Sequence, residues 1–136
     1  MDKRTETLGR RARAVSRYWL WLSGTKWERF DSAGADPPHS LKGISKYDPE
    51  EGLIEVWLIL NDCVPDFTHV GSRGNLRELV CRAWKKPISF CQAFGDEGEG
   101  FQSWAIIHLS DDELDSLEFS AEDEIEMLVK MLEAAP

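Results

Sequence analysis

Three histidines, three cysteines and a dense set of carboxylates are the side chains through which this chain could do chemistry. His39, His69 and His108 are far apart in sequence and sit in different contexts. His108 falls in a predicted strand, on the side shared by Trp104 and Ile106, where a packed structural histidine is the ordinary explanation and a catalytic one the rarer. Cys63 and His69 are of zinc-ligating type, but Cys81 falls in a predicted helix and Cys91 in a separate strand, and there is no C-x-x-C knuckle. No metal or other cofactor is therefore expected. The chain has no Gly-x-Ser-x-Gly elbow and no Cys–His arrangement with a diagnostic local sequence. Asp111, Asp112 and Asp115 supply carboxylate pairs, yet at that density nothing distinguishes a general acid from a general base. No catalytic residue is assigned, and the balance leans away from an enzyme.

Three further groups have the composition of binding sites. Gly71-Ser72-Arg73-Gly74 precedes a predicted helix, so its backbone N–H groups, with Arg73 and Arg77, could hold a phosphate or carboxylate. It lacks the Lys and the spacing of a P-loop, and a loop followed by a helix cap explains it better. Asp96, Glu97 and Glu99 offer oxygen ligands at a hairpin tip, without the twelve-residue pattern of a calcium-binding helix-loop-helix. Arg10, Arg13, Arg17 and Trp21 gather on one side of a predicted helix, a mixture of cations and an aromatic that suits phosphates and bases, or an acidic protein surface.

The charges are not evenly distributed. From Gly95 to Pro136 there are thirteen Asp or Glu residues and one basic residue, Lys130, whereas the first seventeen residues carry a net charge of +4 and residues 18–94 a net charge of −1. Helix N-termini attract carboxylates and explain many of Asp111, Asp112, Glu113, Asp115, Glu118, Glu122, Asp123, Glu124 and Glu126. They do not explain the near absence of Lys and Arg, because exposed helices ordinarily intersperse both signs and gain from i to i+4 pairs. Such a field repels nucleic acid and anionic membrane and attracts basic partners. The N-terminal arginines are its natural internal counterweight, within one fold or across a homodimer.

The elements that must position these groups follow from periodicity. Leu8, Ala12, Val15, Trp19 and Leu22 fall on one helical stripe, with Gly24 as the stop; the competing reading is a strand over Tyr18–Leu22 hairpinned to Trp27 and Phe30. Residues 32–40 are turn formers. Leu41–Tyr47 and Leu53–Asn61 read as strands joined through Asp48–Gly52, the second of them central. Leu76, Leu79, Val80, Ala83 and Trp84 predict a helix over Asn75–Lys86, with Asn75 as cap and Pro87 as terminator. Ile88–Phe94 and Phe101–Leu109 form a second hairpin. Ser110–Glu113 reads as a capping box opening a short helix, and Ser120 as the cap of a final helix carrying Ile125, Leu128, Val129 and Leu132. The whole is one α+β domain over residues 1–136: an antiparallel sheet of about four strands packed with helices from the N-terminus, the centre and the C-terminus.

The longest apolar runs, Tyr18–Leu22 and Val56–Leu60, are far short of the roughly 20 residues that span a bilayer, and neither makes an export signal. Cysteines in odd number, spaced 18 and 10 apart, predict reduced thiols in a soluble, cytoplasmic protein. Two function classes remain. The first is a non-enzymatic acidic interaction protein that presents Asp96, Glu97, Glu99, Asp111, Asp112, Glu113, Asp115, Glu122 and Asp123 to a basic, nucleic-acid-binding partner and inhibits it. In size, charge and lack of catalytic motifs the chain is comparable to immunity proteins that neutralise nuclease toxins and to phage-encoded inhibitors of host defence nucleases such as anti-CRISPR proteins, which work in this way. The second is an enzyme or small-ligand binder using a Trp-lined pocket on the sheet, with His108 or His69 as its polar element.

Overall fold

Asp2 opens the first helix of the computed structural model, which describes residues 1–31, 39–45, 62–95, 98 and 100–136. Its carboxylate accepts the Thr5 N–H at 2.8 Å; Glu6 lies in the first turn and Arg11 and Arg13 in the last, all favourable to the helix dipole. This helix, α1 (Lys3–Ala14), ends well before the predicted Leu22. Val15 leaves helical geometry (φ −78°, ψ 70°), and both Tyr18 and Trp19 N–H donate back to its carbonyl. The turn has a packing reason: it delivers Trp21 into a buried cluster with Trp27 and Cys63, with Trp19 packed edge-on against Trp21 at 5.3 Å and 87°. Burying a Trp outweighs two further turns of helix. Residues 18–22 are accordingly neither helix nor strand.

Around this cluster three antiparallel strands, β1 (Lys26–Asp31), β2 (His39–Ile44) and β3 (Cys63–Pro65), form a sheet in the order β2-β1-β3. Gly9 lets α1 lie directly on β3: a Cβ there would fall 2.5 Å from the Pro65 carbonyl oxygen and 2.6 Å from Val64 Cγ1. A residue that weakens the helix in isolation is thus what seats it. Strand β2 overlaps the predicted Leu41–Tyr47. Most of the turn-forming stretch 32–40, the Asp48–Gly52 connection and the predicted central strand Leu53–Asn61 lie outside the described residues.

Helix α2 (Val70–Trp84) begins five residues earlier than Asn75. Asn75 is therefore no cap. Its Nδ2 donates to Thr25 Oγ1 at 2.8 Å and to the Ser23 carbonyl at 3.0 Å, pinning the turn that enters β1. That turn carries Gly24, at φ +91°, a conformation glycine adopts without strain. Pro87 does stop the helix, through Lys85 in left-handed geometry at φ 53°.

A second antiparallel sheet follows, in the order β4-β5-β6, from β4 (Ile88–Phe94), β5 (Phe101–His108) and β6 (Ser116–Ala121). Helix α3 (Glu124–Ala134) packs on β5 and β6. Ser103, Ala105 and Ile107 alternate inwards along β5, and Leu79, Val80, Trp84, Leu128, Met131 and Leu132 complete the core. Trp84 also donates its indole N–H to the Met131 carbonyl at 2.9 Å.

Among the described residues the architecture is α+β, with three helices and two three-stranded antiparallel sheets in place of one sheet of about four strands. Contacts divide the chain into two compact units, Met1–Leu76 and Arg77–Pro136, the division falling inside α2. No helix of the described residues is long and apolar enough to cross a membrane.

Candidate functional site

The second unit holds every acidic residue singled out above, and its register decides how they are grouped. Ser103 pairs with Ala121 and His108 with Ser116. The start of β5, the end of β6 and the β4–β5 hairpin therefore share one end of the sheet, and the β5–β6 connection occupies the other. Six residues of β6 at about 3.3 Å each separate the two ends by roughly 20 Å.

At the β5–β6 end stand Asp111, Asp112, Glu113 and Asp115, all exposed. The predicted capping box here opens no helix. Ser110 Oγ does accept the Asp112 N–H at 3.2 Å, and Asp112 Oδ1 accepts the Leu114 N–H at 2.9 Å, but Leu109 N–H then bonds to the Asp115 carbonyl and turns the chain back into β6. The cap-like bonds close an Asx turn instead. Leu114, which a helix would have buried, is 92% exposed among these carboxylates.

At the hairpin end are Glu122, exposed, and Asp123. Asp123, not Ser120, caps α3: its Oδ1 accepts the Ile125 and Glu126 N–H groups at 2.7 and 3.2 Å. Ser120 belongs to β6. Asp123→Ala is expected to lower the stability of this unit by about 1 kcal/mol, read as a fall in the urea midpoint at unchanged slope. Asp96, Glu97 and Glu99 lie outside the described residues; Gly95 N–H bonds to the Gly100 carbonyl at 3.0 Å across the base of their segment. Flanking that segment in sequence, Phe94 and Phe101 are paired in register and meet edge to face, centroids 5.5 Å apart at 73°. They are 79% and 52% exposed. Sequence reasoning passed over this pair, although two Phe residues flanking Gly-Asp-Glu-Gly-Glu-Gly were the signal for it.

No protein-family model, curated protein or solved structure matches this chain.

Arg10, Arg13, Arg17 and Trp21 do not share a helical face, because α1 ends at Ala14 and Trp21 is buried. Arg10 donates from Nη1 to both Asp62 carboxylate oxygens at 3.0 and 3.2 Å and from Nη2 to Glu6 Oε1 at 2.9 Å; its hydrogen bonds to Glu6 first and Asp62 second push its pKa above the ordinary value. Arg13 donates to the Cys63 carbonyl and lies over the Trp21 ring at 5.7 Å, while Arg17 stacks on Tyr18 at 5.2 Å. Part of the basic segment is thus answered inside Met1–Leu76. Gly71-Ser72-Arg73-Gly74 is the first turn of α2 rather than a loop ahead of it, and Ser72 Oγ is engaged by the Lys26 N–H at 2.8 Å.

Cys63 sits in the Trp cluster, where burial pushes its thiol up, and His69 packs over Gly71. His108 Nε2 meets Ser89 Oγ at 2.9 Å. Among the described residues no three His, Cys, Asp or Glu side chains are grouped to hold a metal ion. Cys81 and Cys91 are exposed. Titration of the native protein with a chromogenic disulfide reagent is expected to modify these two quickly and Cys63 only after denaturant is added. A cleft of about 280 Å³ does open on the second sheet, lined by Arg77, Phe90, Cys91, Gln92, Ser103, Glu124 and Met127. Neither His69, His108 nor any Trp lines it.

Proposed function

We propose that this chain is a non-enzymatic binding protein that docks its second unit on a basic, nucleic-acid-binding surface and blocks it, as a nuclease-toxin immunity protein or a phage-encoded inhibitor of a host defence nuclease does. The observation that carries the reading is the exposed Phe94–Phe101 pair, which flanks Asp96, Glu97 and Glu99 in sequence and shares one end of the sheet with Glu122. Exposed aromatics are costly in water and are characteristic anchors of interfaces, while surrounding carboxylates steer a cationic partner and hold it in register. At the other end of the sheet the exposed aliphatic Leu114 stands among Asp111, Asp112, Glu113 and Asp115.

The test is affinity capture of the tagged protein from its host, or from the infected host, at low salt, followed by elution with rising salt. The expected product is a basic nucleic-acid enzyme whose binding weakens steeply between roughly 50 and 500 mM salt. A captured partner that is acidic, or binding indifferent to salt, counts against the proposal.

A further inference from the structure

The cleft on the second sheet holds opposite charges that do not meet. Arg77, from α2, lies over the Phe90 ring with its guanidinium carbon 4.0 Å from the centroid and makes no ion pair among the described residues. Glu124, the first residue of α3, lines the same cleft, and it too has no hydrogen-bond or ion-pair partner among them. Gln92, which is exposed, and Ser103 contribute an amide and a hydroxyl with no protein partner among the described residues. Phe90 and the buried Met127 supply apolar wall.

Arg77 and Gln92 are exposed and Glu124 is half-buried, so water solvates all three when the cleft is empty, and a ligand of complementary charge takes the place of that water. Here the guanidinium is held on an aromatic face, which keeps its fork of donors oriented for a planar carboxylate. The volume lies just below the roughly 300–1,000 Å³ typical of drug-sized ligands, so the occupant is small. We propose that this cleft binds a small zwitterion of the α-amino-acid class with an apolar side chain. Its carboxylate meets Arg77, with Gln92 and Ser103 as further donors; its ammonium meets Glu124; its side chain lies along Phe90 and Met127. The site involves neither the Phe94–Phe101 pair nor the exposed carboxylates of the sheet ends, so it stands or falls independently of the docking proposal.

The test is titration of the 15N-labelled full chain with leucine, methionine and phenylalanine, following the amides of Gln92, Ser103 and Met127. Leucine methyl ester, which lacks the carboxylate, and N-acetyl-leucine, which lacks the ammonium, are the controls. Saturable shifts are expected with at least one of the amino acids, and binding about 10-fold weaker with either control and in Arg77→Gln or Glu124→Gln. Arg77→Lys, which keeps the charge but loses the fork, is expected to fall between wild type and Arg77→Gln. Absence of shifts up to roughly 10 mM ligand overturns the proposal. So does binding that either control or both Gln variants leave unchanged in a protein whose remaining amide spectrum is intact.

Discussion

Reversing Glu122 to Lys is expected to slow association with the basic partner about ten-fold, whereas reversing Asp111, Asp112 and Asp115 together should cost less if the hairpin end is the docking centre. The separation of these groups makes the comparison decisive. Roughly 20 Å lies between the two ends of β6, beyond the Debye length of about 8 Å at physiological ionic strength, so carboxylates at one end contribute little to a contact centred on the other. Phe94→Ser with Phe101→Ser should act on dissociation instead, with affinity falling about 30-fold or more, because truncating exposed aromatic anchors removes desolvated contact and leaves steering intact. Surface plasmon resonance on the captured partner separates the two rates. Stability should change little in the Phe variants, since both rings already stand in solvent. If all three sets of substitutions leave both rates alone, the acidic-interface reading is lost.

Gly43→Val is expected to destabilise Met1–Leu76 by about 3 kcal/mol, the upper range for overpacking a tight core. Gly43 stands opposite Trp27 in the β1–β2 register, and a Cβ there would lie 2.4 Å from Trp27 Cζ2 and 2.8 Å from Cε2. The ring has nowhere to retreat: Trp27 is buried against Trp21 and Cys63. Urea unfolding followed by tryptophan fluorescence measures the loss. Trp27→Leu is destabilising alone, but combined with Gly43→Val it should cost about 1 kcal/mol less than the sum of the two, because the smaller side chain vacates the space that valine enters. A Gly43→Val protein within about 0.5 kcal/mol of wild type contradicts this packing.

Where the fold could be read in the chain, one element was dominated by one local signal. The β4–β5 hairpin was legible because two alternating apolar runs flank a Gly-rich acidic segment, and the end of α2 because Pro87 cannot continue it. Residues 110–121 were not. Ser110, Asp112 and Glu113 satisfy the local grammar of a helix start, and the same side-chain-to-backbone bonds equally close a turn. Which outcome prevails depends on β5 offering an edge to Ser116–Ala121, a partner distant from the local window. The charge of the candidate interface was legible residue by residue, but its division between two ends of a sheet was not, since only strand register sets it.

The amino-acid order by itself determined the segregation of charge, the α+β class and the absence of any recognisable catalytic motif, because composition and short-range periodicity do not depend on neighbours in space. Only the tertiary structure decided that α1 stops at Ala14 so that Trp21 can be buried, that Asp123 rather than Ser120 caps α3, and that Phe94 and Phe101 meet edge to face in solvent. Each of these is a competition between a local preference worth a few tenths of a kcal/mol to about 1 kcal/mol and a packing or pairing contact worth as much or more, and the winner is set by what lies across the fold.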